Sequence, residues 1–342
     1  MNAAHLYKRF GDKVVLEDVS LTVPDGAVVC LMAPSGRGKT TLLRCIAGLE
    51  MPDSGTVTGV PERLGFVFQE DRLCPQLDAV ENVRLVTGRI MSRSDIEAHL
   101  RELGLADCLD QRAAELSGGQ RRRVSVARAV CYGPELLLLD EPLGALDLQL
   151  RRQMQLELKR LQKKLGITFV YITHDQEEAI NMSDRIAVMR GGRFEQLGTP
   201  EEIYDEPKTH YVAQFIGRST ILSGRVEAVG KDTAVIRGAC GSFTADASRA
   251  RLSAGEDCEI CVRTERMRVS PVPVEGFQLP VTVREARYAG GSVLTYVTLK
   301  NGTEAVATSE GRLSDALKPG STAYLYWNPA QAAVIGGTSH GA

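Results

Sequence analysis

The sequence predicts an α/β domain built on a mostly parallel sheet, followed by a smaller all-β domain. Strand-like apolar segments alternate with helix-like segments up to about residue 215, which is the pattern of a parallel sheet with helical connections. Two of these segments, LLLLD at 136–140 and ITFVYIT at 167–173, are nearly continuous apolar runs, as expected for strands buried on both faces. From about Gly217, short alternating segments separated by Gly, Pro and Asn take over and favour a small barrel or sandwich.

The elements of the first half follow in chain order. Strands are predicted at 14–23, 27–33, 64–69, 136–140 and 167–173. A helix continues through LLRCIAGL at 42–49, and helix formers are frequent from about Asp78 to Tyr132. We therefore predict one domain at 1–216, with a helical subdomain at about 78–132, and a β-rich domain at 217–342.

The composition excludes some classes of function. The chain has 342 residues, enough for two domains. Lys and Arg number 41 against 43 Asp and Glu, a formal net charge of -2, so we do not expect the basic surface of a nucleic-acid-binding protein. No apolar run approaches the ~20 residues of a membrane-spanning helix, and the start lacks the apolar core of a secretory signal. We expect a cytosolic protein that works at a membrane only through partners.

Eight cysteines are scattered through the sequence, and in a reducing compartment most are expected to be buried as small apolar residues. Cys258 and Cys261 form a single CxxC motif within the strand-like run EDCEICVR. Residues three apart in a strand point to opposite faces, which disfavours a metal or redox site for this pair.

A glycine-rich turn predicts a phosphate-binding site. APSGRGKTT at 33–41 follows a strand and precedes an apolar helix, which is the context that a P-loop requires. Glycine lets successive N–H groups converge on phosphate oxygens, and the helix N-terminus adds partial positive charge. Lys39 is expected to contact the β- and γ-phosphates and the Thr40 hydroxyl to ligate Mg²⁺. The nucleotide-binding residues predicted here are Ala33, Pro34, Ser35, Gly36, Arg37, Gly38, Lys39, Thr40 and Thr41.

Ala33 stands where a P-loop usually has its first glycine. If this position requires a positive φ, alanine costs roughly 1–2 kcal/mol. If the φ is negative, alanine merely narrows the space beside the phosphates. The backbone angle decides between the two.

Polar residues at the ends of three predicted strands complete a hydrolysis site. Asp140 and Glu141 end the apolar run of one strand, and the carboxyl ends of parallel strands face the ligand crevice. Asp140 is placed to hold Mg²⁺ through water, and Glu141 to polarise the attacking water. Gln69 and His174 end two further strands. Gln69 is a candidate contact for Mg²⁺ or water, and His174 a candidate donor to a γ-phosphate oxygen.

The residue types alone do not indicate a role for two further features, Phe10 and the LSGGQ segment. Phe10, in YKRFG, is either part of the core or a flat apolar face for adenine. LSGGQ at 116–120 holds no strong nucleophile, metal ligand or general base, yet its glycines permit close backbone approach and the helix behind them favours an anion. The arginines at 121–123 are interpreted as a solvated helix face, and Arg128 as structural.

Together these motifs resemble the ATP-binding subunits of ABC transporters. The matching elements, in the family's order, are APSGRGKTT (Walker A), Gln69 (Q-loop), LSGGQ (signature), LLLLD with Glu141 (Walker B and catalytic glutamate), GALD at 144–147 (D-loop) and His174 (H-loop). The resemblance covers residues 1–215 and implies a P-loop NTPase fold with ATP and Mg²⁺ as cofactors. It implies Glu141, His174 and Gln69 as catalytic residues and Thr40, Gln69 and Asp140 as the metal site.

The resemblance also implies a homodimer that sandwiches ATP. In this family two copies pair head to tail. Each copy places its signature residues, Ser117, Gly118 and Gly119 with Gln120, against the γ-phosphate held by the other. Asp147 is then at the interface and links the two sites. Hydrolysis removes the phosphate that both copies grip.

The segment after Gly217 resembles the C-terminal OB-like (TOBE) extension of importer ATPases, through VRTERMRV at 262–269 and YWNPAQAAVI at 326–335. This implies a dimer-stabilising or regulatory domain and no nucleic acid. The whole chain then resembles an importer ATPase, peripheral on the cytoplasmic face of the inner membrane. Its implied partners are two membrane permease subunits, whose coupling helix would contact residues 71–81, and indirectly an extracytoplasmic solute-binding protein.

The solute is recognised by those other subunits, so several solutes stay open. The stretches at 145–189 and 195–217 resemble polyamine (spermidine/putrescine) importers, the solute we favour, but also iron(III), sulfate and sugar importers. FVFQEDRLCPQLDAVENV at 66–83 is similar to nitrate and sulfonate importers. A soluble ABC ATPase, an exporter ATPase and a ligand sensor without catalysis are the alternatives of another class. A soluble ABC ATPase would need a coiled-coil insertion or a second cassette, and neither is visible in the sequence. Exporter ATPases usually lack a β-rich tail such as this chain has. A sensor without catalysis would have lost catalytic residues, but Glu141 and His174 are present.

Overall fold

The computed structural model describes residues 1–335 except 145, 249, 312 and 315. Packing divides the chain into two compact units, Met1–Pro200 and Glu201–Ala342. The sequence pattern predicts the boundary near Gly217, whereas packing places it after Pro200. The two divisions differ because residues 201–216 are mainly helical yet pack with the β-rich unit.

Among its described residues, the first unit contains all five strands predicted from the sequence, with small shifts at their ends, and four more. Its strands are β1 (Asn2–Phe10), β2 (Lys13–Thr22), β3 (Val28–Met32), β4 (Ser54–Thr58), β5 (Leu64–Val67), β6 (Leu136–Asp140), β7 (Thr168–Thr173), β8 (Arg185–Arg190) and β9 (Arg193–Gly198). Its helices are α1 (Lys39–Ile46), α2 (Ala79–Thr87), α3 (Arg93–Glu102), α4 (Gly118–Cys131), α5 (Leu148–Leu165) and α6 (Gln176–Met182), with a 3-10 turn at Ala106–Cys108.

Two sheets build this unit. Six strands form a sheet in the order β5-β6-β7-β3-β8-β9, in which only β8 and β9 are antiparallel neighbours. Three strands form an antiparallel sheet in the order β2-β1-β4. Every residue of β3, β6 and β7 is buried, which accounts for their apolar runs. Because these three strands are parallel neighbours, their carboxyl ends meet at one edge of the sheet.

Helices α2, α3 and α4 form the helical region that the sequence predicts between 78 and 132. Each begins with a reciprocal capping box, in which the N-cap side chain accepts from a backbone N–H and the third helical residue returns the bond. The caps are Asp78, Ser92 and Ser117. Such boxes satisfy first-turn donors that would otherwise lack partners, so these helices have well-defined starts.

The second unit is mainly β-structure. Its helices are α7 (Pro200–Asp205) and α8 (His210–Phe215), with 3-10 turns at Thr264–Arg266 and Pro329–Gln331. Its strands are β10 (Ser219–Val229), β11 (Thr233–Gly238), β12 (Gly241–Asp246), β13 (Asp257–Arg263), β14 (Arg268–Ser270), β15 (Leu279–Ala289), β16 (Ser292–Leu299), β17 (Glu304–Glu310), β18 (Thr322–Tyr326) and β19 (Ala332–Ile335).

A five-stranded closed barrel, β10-β11-β12-β19-β13, confirms the predicted OB-like architecture of this unit. A second, five-stranded sheet runs β14-β18-β15-β16-β17. One apolar cluster takes residues from both, among them Phe243 of the barrel and Leu325 of the sheet. Trp327 packs edge-on against Phe277 and donates its indole N–H to the Thr244 carbonyl at 3.0 Å. The barrel and the sheet thus share one core.

The CxxC cysteines occupy opposite faces of β13, as their spacing predicts. Cys258 packs in the core shared by barrel and sheet. Cys261 lies in a separate small cluster with Ala213 and Ile335. Both are buried, and burial raises the pKa of each thiol, so both are structural rather than reactive. Within the described part of the chain, no helix is both long and apolar enough to span a bilayer.

Candidate functional site

The glycine-rich turn connects β3 to α1, as the sequence predicts. Gly36 and Gly38 have φ of 73° and 94°, in the left-handed region that favours glycine. A Cβ on Gly38 would lie 2.6 Å from the Val15 carbonyl oxygen, so this position admits no side chain. Ala33 is not among the residues of positive φ. The absence of the usual glycine therefore costs no backbone strain. The effect of the Ala33 side chain on the space of the site stays a prediction.

Lys39 begins α1 and is only 5% exposed. Its ammonium donates to the carbonyls of Ala33 at 2.7 Å and Pro34 at 3.0 Å. Burial lowers the pKa of Lys39, and the nearby Glu141 and Asp140 carboxylates partly oppose that effect. The turn thus holds a positive charge at its centre, facing two negative side chains.

Two carboxylates stand at the carboxyl end of β6. Asp140 is 4% exposed, and burial raises the pKa of its carboxyl although a hydrogen bond from the Thr40 side chain and the charges of Arg122 and Lys39 lower it. Glu141 follows with a φ of 49°, a left-handed conformation that costs a non-glycine residue about 1–3 kcal/mol. Such a conformation persists only where the surroundings hold it.

His174 follows β7 and reaches Glu141. Its Nδ1 lies 3.6 Å from Glu141 Oε1. The His174 side chain is 59% exposed and that of Glu141 is 20% exposed, so the carboxylate remains accessible. The backbone N–H of Glu141 donates to the Ile172 carbonyl at 3.2 Å, which fixes the end of β6 against β7.

The phosphate turn and the two carboxylates open onto a cleft of about 270 Å³, whereas His174 is outside its lining and reaches it only through Glu141. The cleft is lined by Phe10, Lys13, Val15, Ser35, Gly36, Arg37, Gly38, Lys39, Thr40, Thr41, Gln69, Asp140 and Glu141. Phe10 is 49% exposed, and the Lys8 ammonium lies 5.2 Å from its ring centroid. The fold therefore brings the predicted phosphate turn, the Q-loop glutamine, both carboxylates and the candidate stacking ring to one place.

The signature is not part of that cleft. Ser117 is the N-cap of α4, where its hydroxyl accepts from the Gln120 N–H at 3.2 Å and its own N–H donates to Gln120 Oε1 at 2.8 Å. Ser117 and Gly118 are exposed. Gly119 faces Leu146 and Leu150, whose side chains lie 3.3 and 3.6 Å from the position of an added Cβ. The LSGGQ residues are thus displayed at a helix start, away from their own chain's phosphate turn.

The described D-loop residues, Gly144, Leu146 and Asp147, also lie outside the lining of the cleft. Asp147 is exposed and caps α5 by accepting from the Leu150 N–H at 2.9 Å. Ala145 of the GALD motif is outside the described residues. The predicted role of Asp147 between two sites stays a prediction.

The interpretation of 121–123 as a solvated face is wrong for Arg122. Arg122 is 2% exposed, and its guanidinium donates to backbone carbonyls on two strand ends. The acceptors are Phe68, Gln69, Asp140, Glu141 and Pro142. Arg123 points elsewhere and donates to Leu103 and Gly104, whereas Arg121 and Arg122 share the Asp71 carboxylate, at 3.8 and 3.6 Å. Arg128 donates to the carbonyls of Asp71 and Arg72, which confirms a structural role.

Sequence reasoning also missed Glu178 on α6. It is 2% exposed, and its Oε2 accepts from the Thr173 hydroxyl at 2.9 Å, while Oε1 has no hydrogen-bond partner among the described residues. Burial raises the pKa of this carboxyl to about 7. The only signal in the sequence was a Glu four residues after His174, which an exposed helix start also explains.

Comparison with protein families identifies two domains. The ABC transporter family model matches residues 16–144, which include the phosphate turn, the Q-loop, the signature and both carboxylates. The TOBE domain model matches residues 260–335, within the second unit. Both matches agree with the resemblances predicted from the motifs.

Curated relatives match nearly the whole chain. The spermidine/putrescine import ATP-binding protein PotA of Rubrobacter xylanophilus is 43% identical over 348 residues, covering 96% of this chain and 92% of the relative. The protein of the same name from Acidothermus cellulolyticus is 42% identical, covering 94% of this chain and 89% of the relative. These alignments run through both units.

Solved structures match the ATP-binding part. A dimeric structure of the ABC transporter cassette MJ0796 has a TM-score of 0.54 at 30% identity and covers 58% of this chain and 99% of that one. A dimeric post-hydrolysis structure of the same cassette, bound to ADP and Pi, has a TM-score of 0.53. The cleft, the family models and these relatives agree: the chain belongs to the ATP-binding, ATP-hydrolysing subunits of ABC transporters, in the importer group with a C-terminal TOBE domain.

Proposed function

We propose that this chain hydrolyses ATP at the cleft between β3, β6 and Gln69, and that this drives uptake of a polyamine of the spermidine/putrescine class. One observation carries the assignment of the site: a buried lysine in a phosphate turn faces a buried aspartate and an accessible glutamate in the same cleft. The curated relatives named above, similar along nearly the full chain, support the choice of solute.

The residues of the turn bind the triphosphate in this proposal. The N–H groups that begin α1 and the Lys39 ammonium bind the β- and γ-phosphates, with Ser35, Gly36 and Thr41 close to the chain of phosphates. Lys39 then exchanges the carbonyls of Ala33 and Pro34 for phosphate oxygens. Phe10 provides a face for the adenine ring.

The neighbouring oxygens fit a magnesium ion. Thr40 and Asp140 both line the cleft, and the Thr40 side chain is close enough to lower the pKa of the buried Asp140 carboxyl. Hydroxyl and carboxylate oxygens are the hard ligands that Mg²⁺ prefers. Gln69 lines the same cleft and adds an amide oxygen. Mg²⁺ would neutralise charge that develops on the phosphate oxygens. Thr40 and Asp140 would hold it, with Gln69 as a further contact.

Glu141 is the proposed general base. Its carboxylate lines the cleft and accepts the proton of the water that attacks the γ-phosphate. His174, 3.6 Å from Glu141 Oε1, orients that carboxylate and donates to a γ-phosphate oxygen. Gln69 is placed to hold the water or the ion.

A second copy completes the site in our proposal. Ser117, Gly118 and Gly119 with Gln120 are outside the lining of their own cleft, and we propose that they contact the γ-phosphate held by another copy. Asp147 is exposed in the same unit and is a candidate link between the two sites. The dimeric cassette structures support this arrangement.

The transport partners follow from the importer family. We propose a peripheral position on the cytoplasmic face of the membrane, two permease subunits that contact residues 71–81, and an extracytoplasmic solute-binding protein that selects the solute. The TOBE unit would stabilise the dimer or regulate it. Nucleic acid is not an expected partner.

Two measurements test the proposal. The purified chain is assayed for phosphate release from ATP with and without Mg²⁺; an inactive wild type would contradict the assignment of the cleft. The chain is then co-reconstituted in vesicles with the permease and binding protein encoded beside it, and ATP-dependent uptake of labelled spermidine is compared with that of sulfate, iron(III) and a sugar. Preferential uptake of another solute would leave the ATPase assignment intact and overturn the polyamine assignment.

A further inference from the structure

The guanidinium of Arg122 uses every donor that it has. Arginine carries five N–H donors in a planar fork, and Arg122 directs them to five backbone carbonyls. Nε donates to Pro142 at 2.8 Å, and Nη2 to Asp140 and Glu141, each at 2.8 Å. Nη1 donates to Phe68 and, at 3.4 Å, to Gln69. A side chain that is 2% exposed and this completely satisfied is a fixed part of the interior.

The five carbonyls belong to the ends of two adjacent strands. Phe68 and Gln69 follow β5, and Glu141 and Pro142 follow β6. The backbone ladder between these strands pairs residues only as far as Val67 and Leu139. Arg122 therefore provides the lateral connection just beyond the last paired residues, where Gln69 and Glu141 enter the cleft.

Arg122 also hydrogen-bonds to the backbone on both sides of Glu141, the strained residue of the site. Glu141 has a φ of 49°, and the carbonyls of the residue before it, of Glu141 itself and of Pro142 after it all accept from Arg122. Strained backbone persists where neighbouring contacts over-determine it. Three of the five bonds of Arg122 act on this short segment.

We propose that Arg122 is a positioning residue for hydrolysis: carried on the signature helix α4, it holds the backbone of Glu141 and Gln69 so that their side chains meet the γ-phosphate and its attacking water. Arg122 lies outside the lining of the cleft, so in this proposal it acts on the catalytic groups and not on the phosphates. This inference rests on the proposed roles of Glu141 and Gln69. It predicts a larger effect on turnover than on nucleotide affinity, because the hydrogen bonds of Arg122 go to the ends of β5 and β6 and not to Lys39 or the phosphate turn.

Lysine at this position cannot reproduce the arrangement. A lysine ammonium has three donors and no planar fork, so at least two of the five carbonyls would lose their partner. The backbone at Glu141 would then relax, and a displacement of about 1 Å costs on the order of 100-fold in rate.

The test compares three lysine substitutions on one helix, made in the full chain. Arg122→Lys removes the connection between the strand ends. Arg123→Lys and Arg128→Lys are matched controls, since each arginine also donates to carbonyls but neither reaches Asp140, Glu141 or Pro142. For each variant, the kcat and KM of ATP hydrolysis, the Kd of a fluorescent ATP analogue and the Tm are measured.

We expect Arg122→Lys to lower kcat by about 10- to 100-fold while the Kd of the analogue stays within about 2-fold of wild type, a change of less than ~0.5 kcal/mol. Both controls should keep kcat within about 3-fold of wild type, a far smaller loss than a misplaced catalytic group causes. If Arg122→Lys lowers the Tm far more than the controls, Arg122→Gln is assayed below its own transition, and the same split between kcat and Kd is required.

Several results overturn the inference. A normal kcat in Arg122→Lys, an equal loss of kcat in all three variants, or a loss of nucleotide affinity in place of turnover would each show that Arg122 does not position the catalytic groups. A wild type that binds ATP without hydrolysing it would overturn the proposed function and this inference with it. An active wild type with an unaffected Arg122→Lys variant would overturn this inference alone.

Discussion

Two helix starts in the first unit differ in a way that explains how one chain holds half of a nucleotide site. α1 begins after Gly38 with no side-chain cap, and Lys39 is buried. α4 begins after Ser117 with a complete capping box, and Ser117 and Gly118 are exposed. The first N–H groups of α1 have no side-chain acceptor, so they can bind an anion in the chain's own cleft. The capped start has its donors satisfied without an anion and exposes Ser117 and Gly118, so in our proposal the other half of the site comes from a second copy.

The largest predicted effect is on ATP hydrolysis, in a variant that should still bind ATP at both helix starts. Glu141→Gln should lower kcat by about 10²–10⁴-fold, because an amide cannot accept the proton of the attacking water. ATP should then accumulate in a stable dimer, seen by size-exclusion chromatography. Glu135→Gln, at the other end of β6 and more than half exposed, is the control. Normal turnover in Glu141→Gln would assign the base elsewhere.

The next effect tests the buried start alone. Lys39→Ala should weaken ATP binding by about 10- to 100-fold, since hydrogen bonds to a charged group contribute about 1.5–3 kcal/mol. Titration with a fluorescent ATP analogue measures the Kd. Arg44→Ala, on the exposed side of the same helix, should bind ATP as the wild type does. Equal affinity in both variants would contradict the role of Lys39.

A smaller effect concerns the stability of the interior at Glu178 of α6, which hydrogen-bonds to Thr173 at the end of β7. The pKa of Glu178 is raised to about 7 against an ordinary value of 4.5, so its protonated form is favoured in the folded state. Its contribution to stability is therefore complete below about pH 4.5 and is lost as the pH rises through about 7. Glu178→Gln should remove this loss and raise the Tm relative to wild type at pH 8 by about 2–4 °C or more, with a smaller difference at pH 5. The exposed neighbour Glu177→Gln should show no such pH dependence.

The smallest effect tests the displayed start. Ser117→Ala removes the capping hydroxyl and should cost about 1 kcal/mol of stability. Ser92→Ala is a close control, because Ser92 caps α3 with the same reciprocal box. In the Glu141→Gln background, Ser117→Ala should also weaken ATP-dependent dimerisation by about 5-fold or more, equivalent to ~1 kcal/mol, whereas Ser92→Ala should leave it unchanged. Equal dimerisation would show that Ser117 does not contact the shared nucleotide.

The parts of the site that could be predicted from the sequence differ from those that could not in how far apart their contacting residues are along the chain. The phosphate turn and the end of β6 were predictable because their chemistry is local: a strand, a turn and a helix follow one another within 33–41, and Asp140 ends its own apolar run. Arg122 was not predictable, because its five acceptors lie about 20 and 50 residues away along the chain. An arginine flanked by two others is compatible with a solvated face, and only the fold brings the ends of β5 and β6 to it. The burial of Glu178 depends in the same way on how α6 packs beside β7.

The barrel of the second unit closes through β19, which pairs with β12 on one side and β13 on the other. During translation, the barrel therefore has two unpaired edges until residue 335 has left the ribosome. All strands of the first unit are complete once Gly198 has emerged. The nucleotide-binding unit is thus free to fold early, while the TOBE barrel cannot close until β19 has been synthesised. A polypeptide cut short before Ala332 should retain ATP binding yet present open strand edges, the feature that promotes aggregation and recognition by chaperones.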